Sequence, residues 1–469
     1  MKLLRDILHQ PATLLGAVML GAWVGMLWPQ GAPLFAALST IYLSLIQVAA
    51  LPFLVLAVYF GLQRMAAAGE QWRRLGVLAL LGLLLMLLCA LGGAVLASLG
   101  AAGAGLDAGQ EASLGRLAMR AEAPPVVSLH AEEAAAGAVA APPLVPRNLY
   151  AVMAFGSAPS VLIGVLLFGA AVAVQRPEAS NQLSSILEAV YRGMELAIRS
   201  VNIGLPLTAF ILAAAATSSA GGESIGLLTG FLLTWYGSVL LCCALVVGLL
   251  AWRLKTHPWQ VLTALREPVT VCLFAPVGAA ALPEFIEALS VRLGFSRGVV
   301  ELMASICPVF IKTGEALFFA VLAVFVANVY GQPPGAADIL LIGFLAAWTA
   351  LWAIGVPGVK AVLWAGVLQA SLGLPLDAML PVLLMLEVLC EGARNLVSYL
   401  AAAALIALGS EAALPQQAVA ASAAATAPLL LVLGRRQAWL GAGLLAAALL
   451  SVFGAGLGAG LRKMLMLTY

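Results

Sequence analysis

The residues in this sequence that could do chemistry are few, and they sit where charge is expensive. Lys312, Glu315, Glu387, Glu391 and Arg394 lie inside two long apolar runs, residues 299–329 and 379–409. At the centre of a lipid-embedded helix an ionisable side chain costs about 2.5–3.5 kcal/mol on insertion scales, so five left unpaired would cost roughly 12–17 kcal/mol. That is comparable to the stability of a whole domain, so they must pair or surround water. Glu387, Glu391, Arg394 and Ser398 are spaced four, three and four apart, which puts them on one helix face. Lys312 and Glu315 flank Thr313 and Gly314, the glycine being a natural place for that helix to unwind. Two cations against three carboxylates sum to −1, and in a low dielectric such a cluster favours one carboxyl keeping its proton near neutral pH. A carboxyl that loads and unloads a proton is what proton coupling requires. The alternative is a static ion network that locks the two spans together.

These charges stand out because the rest of the chain has so few. The 469 residues include 23 basic and 21 acidic side chains, 9% of the total, against 63% apolar residues and a mean hydropathy of +1.07. A soluble domain of this length would carry ~25% charged residues, roughly 117. So sparse a charge cannot cover a wettable surface, which excludes a cytosolic enzyme, a nucleic-acid binder and a secreted disulfide scaffold. The partner is the lipid bilayer. All six cysteines fall in apolar runs without CxxC spacing, and His9, His130 and His257 lie at segment ends or in a loop. No metal site, cofactor motif or nucleophile–base pair is expected.

The elements that must position the charges are helices. A span needs about 20 mostly apolar residues, and such runs occur near 12–29, 38–62, 76–100, 150–174, 190–217, 225–252, 299–329 and 379–409. Two more apolar stretches, near 415–433 and 438–461, add one or two C-terminal helices. Residues 259–291 and 337–374 are apolar but interrupted, the first by Ala275-Pro276-Val277-Gly278 and the second by Gly355-Val356-Pro357-Gly358. Each reads as a re-entrant hairpin of two short helices meeting at a tip, and each precedes one intact span. Hairpin–span, hairpin–span is an inverted repeat, and paired Gly/Pro-interrupted segments point to a transporter's central site. Two kinked core helices with no site are the alternative. The chain thus divides into spans one and two (1–75), span three (76–100), a low-complexity extracytoplasmic loop (101–147), spans four to six (148–258), the hairpin core (259–410) and a C-terminal extension (411–469). Basic residues at Lys2, Arg5, Arg64, Arg73, Arg74, Arg253, Lys255, Arg266, Arg292 and Arg297 fall on one side if the N-terminus is cytoplasmic. Arg199 in the fifth span reads as a snorkelling residue, with a contact to the hairpin unit as the other reading.

In this order of spans and hairpins the sequence resembles the dicarboxylate/amino acid:cation symporter family, the glutamate-transporter fold, over roughly residues 10–410. Local matches are Tyr42-Leu43-Ser44-Leu45-Ile46, Pro52-Phe53-Leu54-Val55, Pro146-Arg147-Asn148-Leu149, Leu167-Phe168-Gly169 and, most specific, the Gly355–Gly358 tip. The resemblance implies an inner-membrane homotrimer whose early spans form a scaffold for a mobile unit built from the two hairpin halves. It places Arg394, Glu391 and Ser398 at positions that hold the solute, beside the tips at Val277, Gly278, Gly355, Val356, Pro357 and Gly358. It places coupling at the stretch that holds Lys312, Thr313 and Glu315, and the buried carboxyls that could carry a proton are Glu315, Glu387 or Glu391. Departures from the family are concentrated there. The serines of the first tip are absent, the family's Asn-Met-Asp-Gly-Thr is here Ile311-Lys312-Thr313-Gly314-Glu315, and the two carboxylates that resemble sodium ligands are Thr313 and Ala402. Sodium needs a cage of hard oxygens, so these losses argue against sodium and for a proton, with the Lys312 ammonium standing in for a bound cation.

The implied substrate is a small organic anion, an acidic amino acid or a C4-dicarboxylate, because the Arg394 fork suits a carboxylate bidentately. Arg394 read alone is equally a partner for Glu387 or Glu391. The other reading of the whole chain is a transporter-derived membrane sensor or assembly partner without transport activity.

Overall fold

The computed structural model describes residues 11–67, 72–104, 158–173, 177–220, 222–275, 277–353, 365–366, 368–369, 371–373 and 380–409. Among these the chain is helical, with no strand. The first helices are α1 (Pro11–Leu27), α2 (Ala32–Ala67), α3 (Trp72–Leu99) and α4 (Ala158–Ala173). α5 (Pro177–Asn202), α6 (Leu205–Ala220) and α7 (Gly222–Leu254) follow. The hairpin core holds α8 (Pro258–Phe274), α9 (Leu282–Glu287), α10 (Arg297–Phe310), α11 (Thr313–Val329), α12 (Ala336–Trp352) and α13 (Leu380–Gly409). Five stretches are long and apolar enough to cross a membrane, six if the bent α5–α6 pair counts as one, and residues 13–27 and 161–172 form shorter apolar helices. Their outer faces expose Val48, Leu80, Leu99, Leu167, Leu233, Leu240 and Trp252. Large apolar side chains held outward suit lipid, where they need no burial against protein. The chain is an all-α integral membrane protein.

Hairpin one forms where Gly and Pro interrupt the apolar run. α8 ends at Phe274, the chain is extended at Ala275 and Val277, and a single 3-10 turn at Gly278–Ala281 leads into α9. A π-turn at Ala288–Arg292 closes the second arm. The tip of hairpin two, Gly355 to Gly358, lies outside the described residues, as do most of the 101–147 loop and residues 411–469; its first arm is α12.

Two expected spans are broken. The fifth bends by 57° between α5 and α6, at Ile203–Gly204. The seventh, expected to be intact, leaves the helix at Ile311 (φ −104°, ψ 76°) and Lys312 (φ −79°, ψ 65°), between α10 and α11. The break lies ahead of Gly314 rather than at it. Pro308, two residues before the end of α10, has no N–H to continue the ladder. Gly314 instead sits in the first turn of α11 and serves a close approach: a Cβ there would lie 1.9 Å from the Arg394 carbonyl oxygen.

Packing falls into two groups. α1, α2, α4, α5 and α6 pack on one another, and α3, α7, α8, α11, α12 and α13 on one another. α8 of hairpin one lies on α13, while α12 of hairpin two lies on α11, so each hairpin packs on the span that follows the other. The groups meet where α10 packs on α2, where α6 touches α7, α8 and α13, and where α9 and the hairpin-one tip touch α5 and α2.

Candidate functional site

The break in the seventh span makes the site. An α-helix leaves its first N–H groups without internal partners, and α11 begins in the protein interior beside α13. The Ser398 hydroxyl accepts the Gly314 N–H at 3.1 Å and donates to the Arg394 carbonyl at 3.1 Å. Ser398 therefore caps α11 from a neighbouring helix. Thr313 turns its hydroxyl back to the Ile311 carbonyl at 3.3 Å, and Ile311 is buried against α3 at Gly82.

Arg394 is 1% exposed, and its Nη1 donates to Glu315 Oε2 at 3.1 Å. The guanidinium carbon lies 4.7 Å from the centroid of Phe318, one turn further along α11. Phe318 is in turn held edge-on by Phe231 and Trp235 of α7. Glu391 is buried one turn before Arg394 on the same face of α13. Lys312, placed at the break, donates its ammonium to the Ala353 carbonyl, which ends α12. That carbonyl belongs to the negative end of a helix, where a cation is favoured.

Arg394, Glu315, Ser398 and Gly314 thus come together at one crossing of α11 and α13, with Glu391 one turn away and Lys312 directed to hairpin two. Gly278 closes the crossing from hairpin one: a Cβ there would lie 2.9 Å from Asn395 Oδ1. Val277, partly buried, precedes it at the tip. Gly355, Val356, Pro357, Gly358 and the Glu387 side chain lie outside the described residues. Asn395 is absent from the sequence reading, although a lone amide beside Arg394 in an apolar run was a visible signal. Its Nδ2 is buried with no hydrogen-bond partner.

A second polar region lies at the boundary between the packing groups, where the sequence offered a contact of Arg199 with the hairpin unit only as its second reading. Arg199 bonds Glu195 on its own helix at 2.8 Å and Glu287 of α9 at 2.6 Å. It joins α5 to hairpin one and does not snorkel. Arg292 pairs with Glu267 and Glu287, and the Asn202 amide donates to the Ala280 carbonyl in the tip at 2.9 Å. Single charges near helix ends carry little sequence signal, because most of them are solvated.

A buried ion pair next to the residue that meets the hairpin-one tip can hold a carboxylate or give way to one. Comparison with known proteins points the same way. The family model for the sodium:dicarboxylate symporter family matches residues 11–408. A C4-dicarboxylate transport protein of Rhodopseudomonas palustris (strain HaA2) is 26% identical over 227 residues, 48% of this chain and 51% of that protein. The proton/glutamate-aspartate symporter of Escherichia coli (strain K12) is 23% identical over 240 residues, 50% of this chain and 54% of the relative. A C4-dicarboxylate transport protein of Caulobacter vibrioides is 26% identical over 371 residues, 77% of this chain and 85% of the relative. The chain spans about half the length of the first two of these relatives.

Proposed function

Since the chain belongs to the sodium:dicarboxylate symporter family, a family of transporters and not of enzymes, we propose that it moves a small dicarboxylate or acidic amino acid across the inner membrane in symport with protons. One observation carries this reading: the buried Arg394–Glu315 pair, 3.1 Å apart and almost closed to solvent. Glu315 as a carboxylate occupies the guanidinium. Once protonated it is a poor partner, and Arg394 is released to take the carboxylate of a solute bidentately. Proton and anion then enter together, and the solute carboxylate replaces the charge that Glu315 loses. A buried charge is costly when its partner leaves, so the exchange of Glu315 for solute must be nearly simultaneous. Asn395 and Gly278 at the tip supply the polar edge and close backbone approach that such a solute needs.

The case against sodium is also local. Half-helix ends and unwound carbonyls are where such transporters bind cations, and here the Lys312 ammonium already bonds the carbonyl that ends α12. The two packing groups support the further reading of a scaffold (α1, α2, α4, α5, α6) against which the hairpin unit slides in a homotrimer, with the N-terminus cytoplasmic.

The test is uptake of radiolabelled succinate, L-aspartate and L-glutamate by proteoliposomes holding the full chain. We expect accumulation of at least one of them, reduced at least tenfold in Arg394→Lys, which keeps the charge and loses the fork. Absence of uptake of all three under any imposed proton or sodium gradient contradicts transport and favours the sensor reading.

A further inference from the structure

Glu284 is a carboxylate that the central site does not use. It follows Leu282-Pro283 in the first turn of α9, and its Oε2 is buried with no hydrogen-bond partner. A carboxylate oxygen in that position is costly when charged, and a proton on it removes both the charge and the unmet demand for a donor. From α5 it faces Arg199 and Asn202; from α8, Glu267 and Cys272; from α2, Tyr42; and from α13, Tyr399. The remaining charges near α9 are already paired, Arg292 with Glu267 and Glu287, and Arg297 with Glu301.

The arrangement around Arg199 gives the site a second state. Arg199 Nη2 serves Glu195 and Glu287, whereas its Nε is buried without a partner. Glu284 and Glu287 are three residues apart on α9 and so share one face. A displacement of hairpin one along α5 by about one helical turn, ~5 Å, exchanges one glutamate for the other opposite Arg199. Neither side is orphaned by the exchange, because Glu287 retains Arg292 and Arg199 retains Glu195. Space for water lies beside Arg199 and Glu287. Arg199, Glu195, Glu287, Ser290 and Arg297 line a cavity of about 240 Å³ between α2, α5, α9 and α10, room for several waters at ~30 Å³ each.

We propose that Glu284 is a second proton-carrying site, loaded while Arg199 is held by Glu287 and unloaded when movement of hairpin one brings Arg199 to Glu284. The proton leaves Oε2 for water carried with Arg199 as the guanidinium takes its place, so a neutral acid and the Glu287–Arg199 pair become a Glu284–Arg199 pair, a Glu287 carboxylate held by Arg292 and a hydrated proton. This rests on the reading of the chain as a proton-coupled transporter and adds to it a group that links the proton to movement, separate from the Glu315 switch that governs solute affinity.

Infrared difference spectroscopy of the full chain in nanodiscs, titrated across pH without solute, tests the site directly. We expect one protonated-carboxyl band to vanish in Glu284→Gln and to remain, shifted, in Glu284→Asp. In Glu287→Gln, Arg199 keeps Glu195 but loses its partner on α9 and turns to Glu284, favouring its carboxylate, so the band's midpoint falls by at least one pH unit, a tenfold loss of proton affinity. An unchanged set of titrating bands in Glu284→Gln, or an unmoved midpoint in Glu287→Gln, overturns the proposal. In proteoliposomes, whatever succinate or L-aspartate uptake Glu284→Gln retains should rise less with an inward proton gradient than that of the unaltered protein, because Glu315 still carries its own proton, and a rise equal to that of the unaltered protein also overturns the proposal. No uptake by the unaltered protein would refute transport, while the infrared titration still decides the fate of Glu284.

Discussion

At the scale of single residues, the account depends on a guanidinium whose partner can be exchanged. Arg394 pairs with Glu315 and lies over Phe318, so removing it takes a cation away from a buried carboxylate. Breaking such a pair typically costs about 3–5 kcal/mol, and we expect Arg394→Met to lower the melting temperature of the detergent-purified protein far more than Arg394→Lys does. Glu315→Gln makes the opposite change, imitating the protonated acid. Succinate or L-aspartate binding to the unaltered protein should tighten as pH falls, because protonation of Glu315 frees Arg394. In Glu315→Gln, isothermal titration should find binding that no longer varies with pH. Much of this was legible beforehand, because charge in an apolar run is so costly that its positions mark a task. Asn395 and Glu284 escaped for a physical reason: the first is uncharged, and the second follows a Leu-Pro helix start, where acidic side chains are ordinary.

At the scale of elements, the crossing of α11 and α13 is built on glycine. A Cβ on Gly314 would lie 1.9 Å from the Arg394 carbonyl oxygen, and one on Gly392 would lie 2.0 Å from the Leu273 carbonyl oxygen. Neither backbone can yield without moving a helix. Gly314→Ala and Gly392→Ala should therefore each destabilise by about 1–3 kcal/mol, as overpacking does, with a matching fall in melting temperature. Ser398→Ala removes the cap on α11 and should cost about 1 kcal/mol, a milder effect that separates loss of a cap from loss of the helix crossing. Hairpin one could be read from Ala275-Pro276-Val277-Gly278 because glycine and proline interrupt helices by local stereochemistry. The break in the seventh span could be read only as a weak point at Gly314, not at its place, Ile311–Lys312. It is fixed by long-range partners, the Lys312 bond to Ala353 and the Ser398 cap, which no local pattern contains.

At the scale of the whole molecule, two polar regions stand out among the described residues of an apolar body. One lies at the crossing of α11 and α13, the other where hairpin one meets α5. The first reads as the place where an anion is held and the second as the place where the two packing groups are reversibly joined. If the α1, α2, α4, α5 and α6 group is a scaffold, it should be the part that contacts other copies, and native mass spectrometry from detergent should find three chains per particle. The central claim is that protons and not sodium drive uptake through the Arg394 site. The most direct measurement is accumulation of radiolabelled succinate and L-aspartate in proteoliposomes under an inward proton gradient in sodium-free buffer, with and without a protonophore. The account predicts accumulation that the protonophore abolishes and that added sodium leaves unchanged. Accumulation that follows a sodium gradient at equal pH on both sides would contradict it.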